Sequence, residues 1–460
     1  MKIVHALHAF PPYSRAGSEN YVEVVARAQL HDHQVIVFHR VAMPDRPEYE
    51  VRSGRNGSIP VVTINRTFQD MTSFRDTYES KQIAQAFSTF LAKERPDVVH
   101  FHHATCLSTT CVQAARRIGI PVVFTLHDFW LLCPRGQLVR VDQSLCDTHT
   151  DHDCVRCMAP QLRLGTTHPR RQAIFRRIDR LIPVQFARAL ARTLAARGVS
   201  DPPDGVEQIR SRTKRVLEMS AMVNRFISPS HFLKDRFVEF GIRADRISVL
   251  DNGFDLRPWT GVSRGKRNNE SGPLRVVFLG TWIPTKGVHV LIEAFKGLDP
   301  NRALLDIHGY APGYDGHEDY EDQLRRMAGS APHIRLRDAY APEHVPALLR
   351  PADVLVAPSI WYENSPLTIH EAFLAGVVVV ASNHGGLKEF VRNGVNGLTF
   401  EPGNAQSLRE VLNRLVDDRS LLADLRQRNP AVLSIEEHTR ALERIYESVG
   451  GTETNRTGKF

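Results

Sequence analysis

The sequence predicts an α/β protein made of two doubly wound, Rossmann-like domains that face each other across a cleft. Three observations support this fold class. The chain has 460 residues, which is too many for one simple core. Short apolar runs alternate with longer amphipathic ones along its length, as in parallel sheets flanked by helices. A polar, turn-rich stretch within 251–269 divides this alternation into two halves.

The apolar runs predict the individual elements. In the first half the candidate strands are Ile3–His8, Val35–His39, Val61–Ile64, Val98–His102, Val122–Leu126, Phe226–Ser228 and Ile247–Leu250. In the second half they are Arg275–Leu279, Leu304–His308, Ile334–Leu336, Val354–Ala357 and Val377–Ala381. Helical patterns include Gly287–Phe295, Thr368–Ala375 and Ser434–Glu447.

These elements predict three parts. We expect an N-terminal Rossmann-like domain over 1–250, with a Cys-rich and basic helical insertion at about 131–215. A C-terminal Rossmann-like domain is expected over 251–430. A helix that crosses back to the first domain, followed by a tail, is expected over 431–460.

Composition narrows the class of protein. Hydrophobic residues make up 42% and charged residues 24%, as in an ordinary globular protein. No apolar run approaches the roughly 18 residues needed to cross a bilayer. Histidines and prolines interrupt the N-terminal run too early for a signal peptide, so we interpret it as a first buried strand. These features predict a cytoplasmic protein, and the net charge of +8 predicts anionic partners.

Much of the positive charge lies in one segment, Gln161–Arg215, which contains thirteen Arg or Lys and four Asp or Glu. Basic and apolar residues alternate there at helical spacing, which suits an anionic membrane surface. A solvated helical insertion explains the same pattern, and both interpretations stay open. No nucleic-acid-binding motif accompanies the charge, so we expect no nucleic-acid partner.

Four cysteines are clustered within 25 residues, and two of them form a Cys-x-x-Cys pair: Cys133, Cys146, Cys154 and Cys157. His149 and His152 lie among them, and only Cys106 and Cys111 lie outside the cluster. In a chain without an export signal, a structural zinc site is a better explanation than disulfides. The first spacing is not that of a familiar zinc motif, so an absence of metal stays an alternative.

Two carboxylates define the most informative run of the chain. Glu363 and Glu371 lie on either side of Pro366, and proline favours the first position of a helix. We therefore expect Glu363 on a loop and Glu371 on the second turn of the helix. The free N–H groups at the start of this helix form a site for a phosphate.

Two further stretches support this interpretation. A strand followed by Gly280 and a helix-opening Lys286 can hold a diphosphate, because glycine permits close approach and lysine supplies a compact charge. The spacing is not that of a P-loop. Gly385-Gly386 follows an apolar strand, and Asn393-Gly394 begins a second turn-rich stretch that ends at Leu398.

In combination, these three stretches resemble the C-terminal half of a family 4 glycosyltransferase with the GT-B architecture. The resemblance is closest over Ile247–Gly403. It implies that the domain over 251–430 binds the nucleotide-sugar and that the domain over 1–250 lies on the acceptor side. In the first domain, His5–Glu19 is similar to the family's opening strand and glycine loop, and Thr125–Asp128 resembles its strand ending in histidine. Phe226–Ser230 is similar to the strand before the interdomain turn.

The resemblance implies retaining transfer of a sugar from a nucleotide diphosphate-sugar donor, with no cofactor required for catalysis. Glu363 would touch the sugar hydroxyls, Glu371 the ribose hydroxyls, and Lys286 would offset charge on the departing diphosphate. His127 would position donor or acceptor, although a packing histidine is an alternative. The implied catalytic residues are Glu363, Lys286 and His127, and the implied donor-binding residues are Gly17, Gly280, Lys286, Asn364, Ser365, Pro366, Leu367 and Glu371.

Two departures from the family pattern affect this expectation. Thr281 stands where an arginine commonly follows the glycine, which removes a bidentate phosphate partner. Ala16-Gly17 stands where two glycines are common. We expect an enzyme at the inner face of the membrane that acts on a glycan or lipid-linked acceptor in cell-surface polysaccharide synthesis. A non-catalytic protein that binds a nucleotide-sugar or a partner is the alternative.

Overall fold

The computed structural model describes residues 1–163, 202, 204–261, 272–314 and 317–450. Most of the basic segment Gln161–Arg215 lies outside the described residues, and the membrane interpretation of that segment lies with it. No helix in the described ranges has both the length and the apolar character needed to cross a bilayer.

The described strands form two sheets. The strands of the first sheet are β1 (Lys2–Leu7), β2 (Gln34–Val41), β3 (Val51–Asn56), β4 (Ile59–Asn65), β5 (Val98–Phe101), β6 (Val122–Thr125), β7 (Arg225–Ser228) and β8 (Ile247–Val249). Those of the second are β9 (Leu274–Leu279), β10 (Ala303–His308), β11 (Ile334–Arg337), β12 (Val354–Ala357), β13 (Val378–Ser382) and β14 (Gly397–Phe400).

Helices connect the strands. The described α-helices are α1 (Gly17–Gln29), α2 (Lys81–Glu94), α3 (Thr110–Arg117), α4 (Asp151–Leu162), α5 (Gly205–Met222), α6 (His231–Phe240), α7 (Val288–Lys296), α8 (Tyr320–Ala328), α9 (Val345–Leu349), α10 (Leu367–Leu374), α11 (Leu387–Phe390), α12 (Ala405–Asp417), α13 (Arg419–Gln427) and α14 (Ile435–Gly450).

Both sheets have the strand order of doubly wound folds. The first sheet runs β3-β4-β2-β1-β5-β6-β7-β8, and the second runs β11-β10-β9-β12-β13-β14. All neighbouring pairs are parallel except β3 and β4, which form an antiparallel hairpin closed by the two-residue turn Gly57-Ser58. The predicted α/β fold class is therefore confirmed.

The alternation of side chains along each strand explains why both faces of each sheet are covered. Val4 and Ala6 of β1 pack into one cluster, while Ile3 and Leu7 pack into the cluster on the opposite face. In β9, residues 276 and 278 face one cluster and residues 277 and 279 face the other. Both sheets are thus sandwiched between helical layers, and their carboxyl edges remain for ligands.

The final helix, α14, lies against the first domain. Leu442 and Tyr446 join the apolar cluster that contains the inner face of α1. Just before the helix, Phe254 donates its N–H to Leu433 O at 2.9 Å, and Ile435 donates to Phe254 O at 2.8 Å. The chain after β14 therefore returns to both the interdomain turn and the first domain.

Candidate functional site

Three loops meet at the carboxyl edge of the second sheet, after β9, β12 and β13. Gly287 has a φ of +70°, and a Cβ placed on it would lie 1.9 Å from Pro358 O. Only glycine permits this close approach, because a larger residue would collide with backbone. Ile360 donates its N–H to Thr285 O at 2.9 Å, which joins the first loop to the second.

The third loop is held against the second in the same way. Gly386 donates its N–H to Glu363 O at 2.8 Å, and a Cβ there would lie 1.9 Å from Asn364 O. The His384 ring shares a hydrogen bond with Ser359 O at 2.9 Å. The glycine pair that the sequence identified as loop chemistry therefore fixes the backbone around Glu363.

Glu363 is buried at the centre of this arrangement, with 8% of its surface exposed. Its Oε1 accepts hydrogen bonds from Lys286 Nζ at 2.6 Å, Ser359 Oγ at 2.6 Å and Trp361 Nε1 at 2.8 Å. Burial raises the pKa of the Glu363 carboxyl, whereas the charge of Lys286 and these three hydrogen bonds lower it. The lowering is larger than the rise, so the pKa of Glu363 lies below its ordinary value. Glu363 is thus ionised, and its Oε2 has no protein partner among the described residues.

Lys286 ends the 3-10 turn Pro284–Lys286, directly before α7. Its ammonium group also lies over the Trp361 ring, 5.3 Å from the centroid. The side chain is 26% exposed. The lysine therefore faces the cleft while its charge is paired with Glu363, as a cation that can also contact an incoming anion.

Glu371 lies on the second turn of α10, where the sequence predicts it. Burial raises the pKa of Glu371 to about 7, and the neighbouring His370 opposes that rise. Burial and the charge of Glu371 raise the pKa of Tyr340, which places the two side chains near each other. The Tyr340 ring also meets His308 edge-on at 6.4 Å. An acidic group and an aromatic ring are suitable neighbours for a nucleoside.

The start of α10 is anchored to the interdomain turn. Asp251 accepts a hydrogen bond from Ser365 Oγ at 2.7 Å, and its second oxygen pairs with the His370 ring at 2.8 Å. Asn252 Nδ2 donates to Ser365 Oγ at 3.1 Å. The sequence predicts Pro366 at the first position of the helix. In the structure Pro366 is the residue directly before the helix, which begins at Leu367.

The side chain of Asn364 reaches the first domain. Its Nδ2 donates to the backbone carbonyl of His127 at 2.7 Å, while its Oδ1 is buried without a partner among the described residues. The loop that carries Glu363 and Asn364 is thus joined to the loop after β6. A buried acceptor without a partner suits a hydroxyl group of a ligand.

The His127 ring lies just after β6 and packs against other rings of the first domain. Its Nε2 shares a hydrogen bond with His102 Nδ1 at 3.2 Å, so it belongs to a buried network. Burial and the nearby His103 lower the pKa of His127 to about 3, which keeps the ring neutral. The ring also contacts Tyr21 of α1 at 5.0 Å. Gly17 lies one turn before Tyr21, is exposed and has open space around it.

A second polar cluster lies beside His127 and was not identified from the sequence. Asp128 Oδ2 pairs with His103 Nε2 at 2.8 Å, and Asp128 Oδ1 accepts from Trp130 N at 2.8 Å. His8 and the buried Glu19 lie 3.6 Å apart in the same region. Asp128 thus caps the turn that follows β6.

Two family models match the chain. The model "Glycosyl transferases group 1" matches residues 262–432, and the model "Glycosyltransferase Family 4" matches residues 15–189. Each match covers one of the two sheet-containing regions. The chain therefore belongs to glycosyltransferase family 4 with the GT-B fold, which confirms the resemblance found in its sequence.

Curated relatives are similar over part of their length. The D-inositol 3-phosphate glycosyltransferase of Corynebacterium glutamicum (strain R) is 31% identical over 249 residues, which is 50% of this chain and 57% of that protein. The lipopolysaccharide 1,2-N-acetylglucosaminetransferase of Salmonella typhimurium is 26% identical over 236 residues, 46% of this chain and 61% of that protein. The alignments thus span less than two thirds of these relatives.

Solved structures are similar over nearly the whole chain. Anabaena Alr3699/HepE in complex with UDP has a TM-score of 0.64 at 18% identity, covering 97% of this chain and 100% of that one. Sucrose-phosphate synthase from Thermosynechococcus elongatus has a TM-score of 0.65 at 16% identity, covering 98% and 100%. At these identities the similarity establishes the fold.

Proposed function

We propose that this chain is a retaining glycosyltransferase that moves a sugar from a nucleotide diphosphate donor to a glycan or lipid-linked acceptor. The observation that carries the proposal is the position of the Lys286–Glu363 pair beside the start of α10, opposite His127. Opposite charges next to a helix N-terminus suit a ligand with both hydroxyls and phosphates.

The donor would lie along α10. In this proposal Glu371 accepts hydrogen bonds from the ribose hydroxyls, and Tyr340 lies beside the base. Backbone N–H groups of Asn364, Ser365 and Leu367 bind sugar and phosphate. Pro366 lies among them but has no N–H to donate. Gly280 and Gly17 let backbone from both domains approach the diphosphate.

Lys286 and Glu363 would then separate their tasks. The ammonium group offsets the charge that develops on the departing diphosphate, a form of preorganised electrostatics that often contributes most to catalysis. The Glu363 Oε2 and Asn364 Oδ1 accept hydrogen bonds from sugar hydroxyls, and His127 positions the sugar from the other domain. The reaction on this proposal needs no bound metal ion.

The proposed acceptor and location rest on the charge of one segment and on the name of one relative. The basic segment 161–215 and the name of the Salmonella relative favour a lipid-linked or surface polysaccharide acceptor, with the protein docked on an anionic inner membrane surface. On this proposal the protein is cytoplasmic and binds no nucleic acid. The His8–Glu19 and His103–Asp128 pairs lie where an acceptor hydroxyl would approach.

Thr281 supports a second candidate function, a GT-B protein that binds a nucleotide-sugar without turning it over. Without a guanidinium group beside Gly280, one phosphate partner is missing. Saturable binding of nucleoside diphosphates with no product from a donor panel would favour this candidate.

Transfer and hydrolysis assays with a panel of UDP-, GDP- and ADP-sugars test the first proposal. We expect Glu363→Gln and Lys286→Ala each to lower turnover about a hundredfold or more, as loss of a transition-state contact does. Glu410→Gln on α12 and Lys296→Ala at the end of α7 are matched controls on the exposed surface. Turnover by Glu363→Gln equal to that of the wild type would remove Glu363 from the mechanism.

A further inference from the structure

The four clustered cysteines converge on one small cavity. Cys133, Cys146, Cys154 and Cys157 all line a cavity of about 20 Å³, and His149 is also part of its wall. None of the four is in a disulfide. Cys106 and Cys111 do not line it. The four cysteines that are clustered in the sequence are therefore also the four that line one cavity.

Two tight turns bring the first two thiols to the cavity. Gly136 donates its N–H to Cys133 O at 2.8 Å and has a φ of +80°, which turns the chain sharply after Cys133. A small hairpin follows, with a bridge between Val139 and Leu145. Cys146 leaves this hairpin and donates its N–H to Leu138 O at 2.8 Å.

The other two thiols lie on α4, the helix that follows the hairpin. Thr150 caps this helix and exchanges hydrogen bonds with Asp153. Cys154 and Cys157 are three residues apart, so they share one face of its first two turns. A turn, a hairpin and the N-terminal part of a helix thus bring the four cysteines to the wall of one cavity.

We propose that Cys133, Cys146, Cys154 and Cys157 bind one structural zinc ion. Four thiolates are a complete tetrahedral ligand set for zinc and leave no open position for a substrate. The cavity is about the size that holds one water molecule, which suits a single ion.

Binding requires a small movement of the side chains. Among the described residues only a histidine group places ligand atoms within 4.8 Å of one another, so no three of these sulphurs are that close. In a tetrahedral site with zinc–sulphur distances of about 2.3 Å, sulphurs lie roughly 3.8 Å apart. Rotation of side chains around the cavity has to supply the difference, and the backbone elements that carry them are already adjacent.

The histidine group is a less suitable metal site. It consists of His5, His100 and His102, all fully buried. Both ring nitrogens of each histidine already share hydrogen bonds: His5 with Gln29 and His102, His100 with Tyr446 and Thr125, and His102 with His5 and His127. This group is a satisfied hydrogen-bond network, and a metal ion would have to break it.

Zinc would fix one wall of the interdomain cleft. The segment between Cys133 and Asp147 contacts the second domain at two points, Gln137 to the Tyr314 hydroxyl and Asp147 to the Tyr362 hydroxyl. Tyr362 directly precedes Glu363. The ion would therefore hold a segment that reaches the loop with Glu363. The zinc proposal does not depend on transferase activity.

Metal analysis of the purified full chain tests the proposal. After removal of loosely bound metal, plasma mass spectrometry should find about one zinc per chain, and a mercurial that blocks thiols should release it to a chromogenic chelator. We expect Cys154→Ser with Cys157→Ser to lose this zinc. Cys106→Ser and His149→Ala, the matched controls, should keep it.

Cobalt substitution provides a second measurement that needs no variant. Wild-type protein reconstituted with Co²⁺ should show thiolate-to-metal charge-transfer bands and the intense visible bands of tetrahedral cobalt. Four outcomes would overturn the proposal: a wild-type chain with no metal, iron in place of zinc, unchanged zinc in the double variant, or cobalt spectra without thiolate bands.

Discussion

The side chain of Asn364 donates a hydrogen bond to the backbone carbonyl of His127 at 2.7 Å and so joins the two domains across the cleft. The two residues lie on loops that follow strands of different sheets, β6 and β12, and are separated by more than two hundred residues of sequence. The bond fixes the loop after β6 against the loop before α10. The position of His127 relative to Glu363 therefore depends on Asn364.

Asn364→Ala should loosen this connection. The backbone N–H of residue 364 remains, so the loss concerns the side-chain bond to the carbonyl alone. We expect faster amide hydrogen exchange in residues 126–128, measured by mass spectrometry, because local opening there becomes less costly. His127→Ala is the matched control, since it keeps the carbonyl and should leave the exchange at Asn364 and Ser365 unchanged. Equal exchange in Asn364→Ala and wild type would show that the bond does not hold the domains together.

The Lys286–Glu363 pair should separate stability from activity. Lys286→Met leaves a buried carboxylate without its cation, which should cost about 2 kcal/mol of unfolding free energy, less than for a fully buried pair because Lys286 is partly exposed. Adding Glu363→Gln removes the unpaired charge. We expect the double variant to recover at least half of that loss in denaturant unfolding while it stays inactive in donor turnover.

Recovery of turnover along with stability would contradict this separation. It would mean that the pair is a structural ion pair only. The opposite failure, a double variant less stable than Lys286→Met, would show that the Ser359 and Trp361 bonds require a carboxylate at residue 363.

Much of the fold follows from the sequence because buried parallel strands are short apolar runs. The predicted strands Val354–Ala357 and Ile334–Leu336 agree with β12 and β11 to within one residue. The hairpin strand β3 was missed, because its residues, Val51–Asn56, are polar and largely exposed at the sheet edge. β14 was missed because its glycine suggested a turn.

The candidate site is predictable only where neighbours in sequence are also neighbours in space. Pro366 separates the loop with Glu363 from the helix with Glu371, and this follows from local propensity. The bonds from Asp251 to Ser365 and His370 do not, because they join residues more than a hundred positions apart. No local pattern marks Asp251 as the residue that holds the start of α10.

Buried neutral histidines should make the protein sensitive to acid. Burial lowers the pKa of His5 and of His438 to about 4, whereas an unfolded histidine titrates near 6.5. Between these values the unfolded chain binds more protons, so stability is complete above pH 6.5 and falls as pH drops towards 4. Each such histidine contributes up to about 1.4 kcal/mol per pH unit. Unfolding in denaturant at a series of pH values measures this slope.

His438 allows that slope to be divided among residues. Its ring bridges the Tyr21 hydroxyl at 2.7 Å and Asp251 O at 2.9 Å, and so ties α14 to α1 and to the interdomain turn. His438→Gln should reduce the pH slope between 6.5 and 4, because it removes one titrating group, while it lowers stability at pH 7. His31→Gln is the control, since His31 is exposed. An identical slope in the His438 variant would assign the acid sensitivity to other groups.

Glu371 should make nucleotide binding weaken as the pH falls below 7. Its pKa of about 7 means that half of the free protein carries a neutral carboxyl at that pH, whereas ribose hydroxyls are best accepted by the ionised form. Affinity for UDP or GDP should therefore be constant above pH 7 and fall about tenfold per pH unit below it, because the competent fraction falls by that factor. Isothermal titration at several pH values measures this, and binding at pH 7 should release protons to the buffer. Glu371→Gln should bind more weakly and lose this dependence, apart from the titration of the nucleotide itself, which both proteins share. A pH profile in Glu371→Gln that matches the wild type would place the nucleoside away from α10.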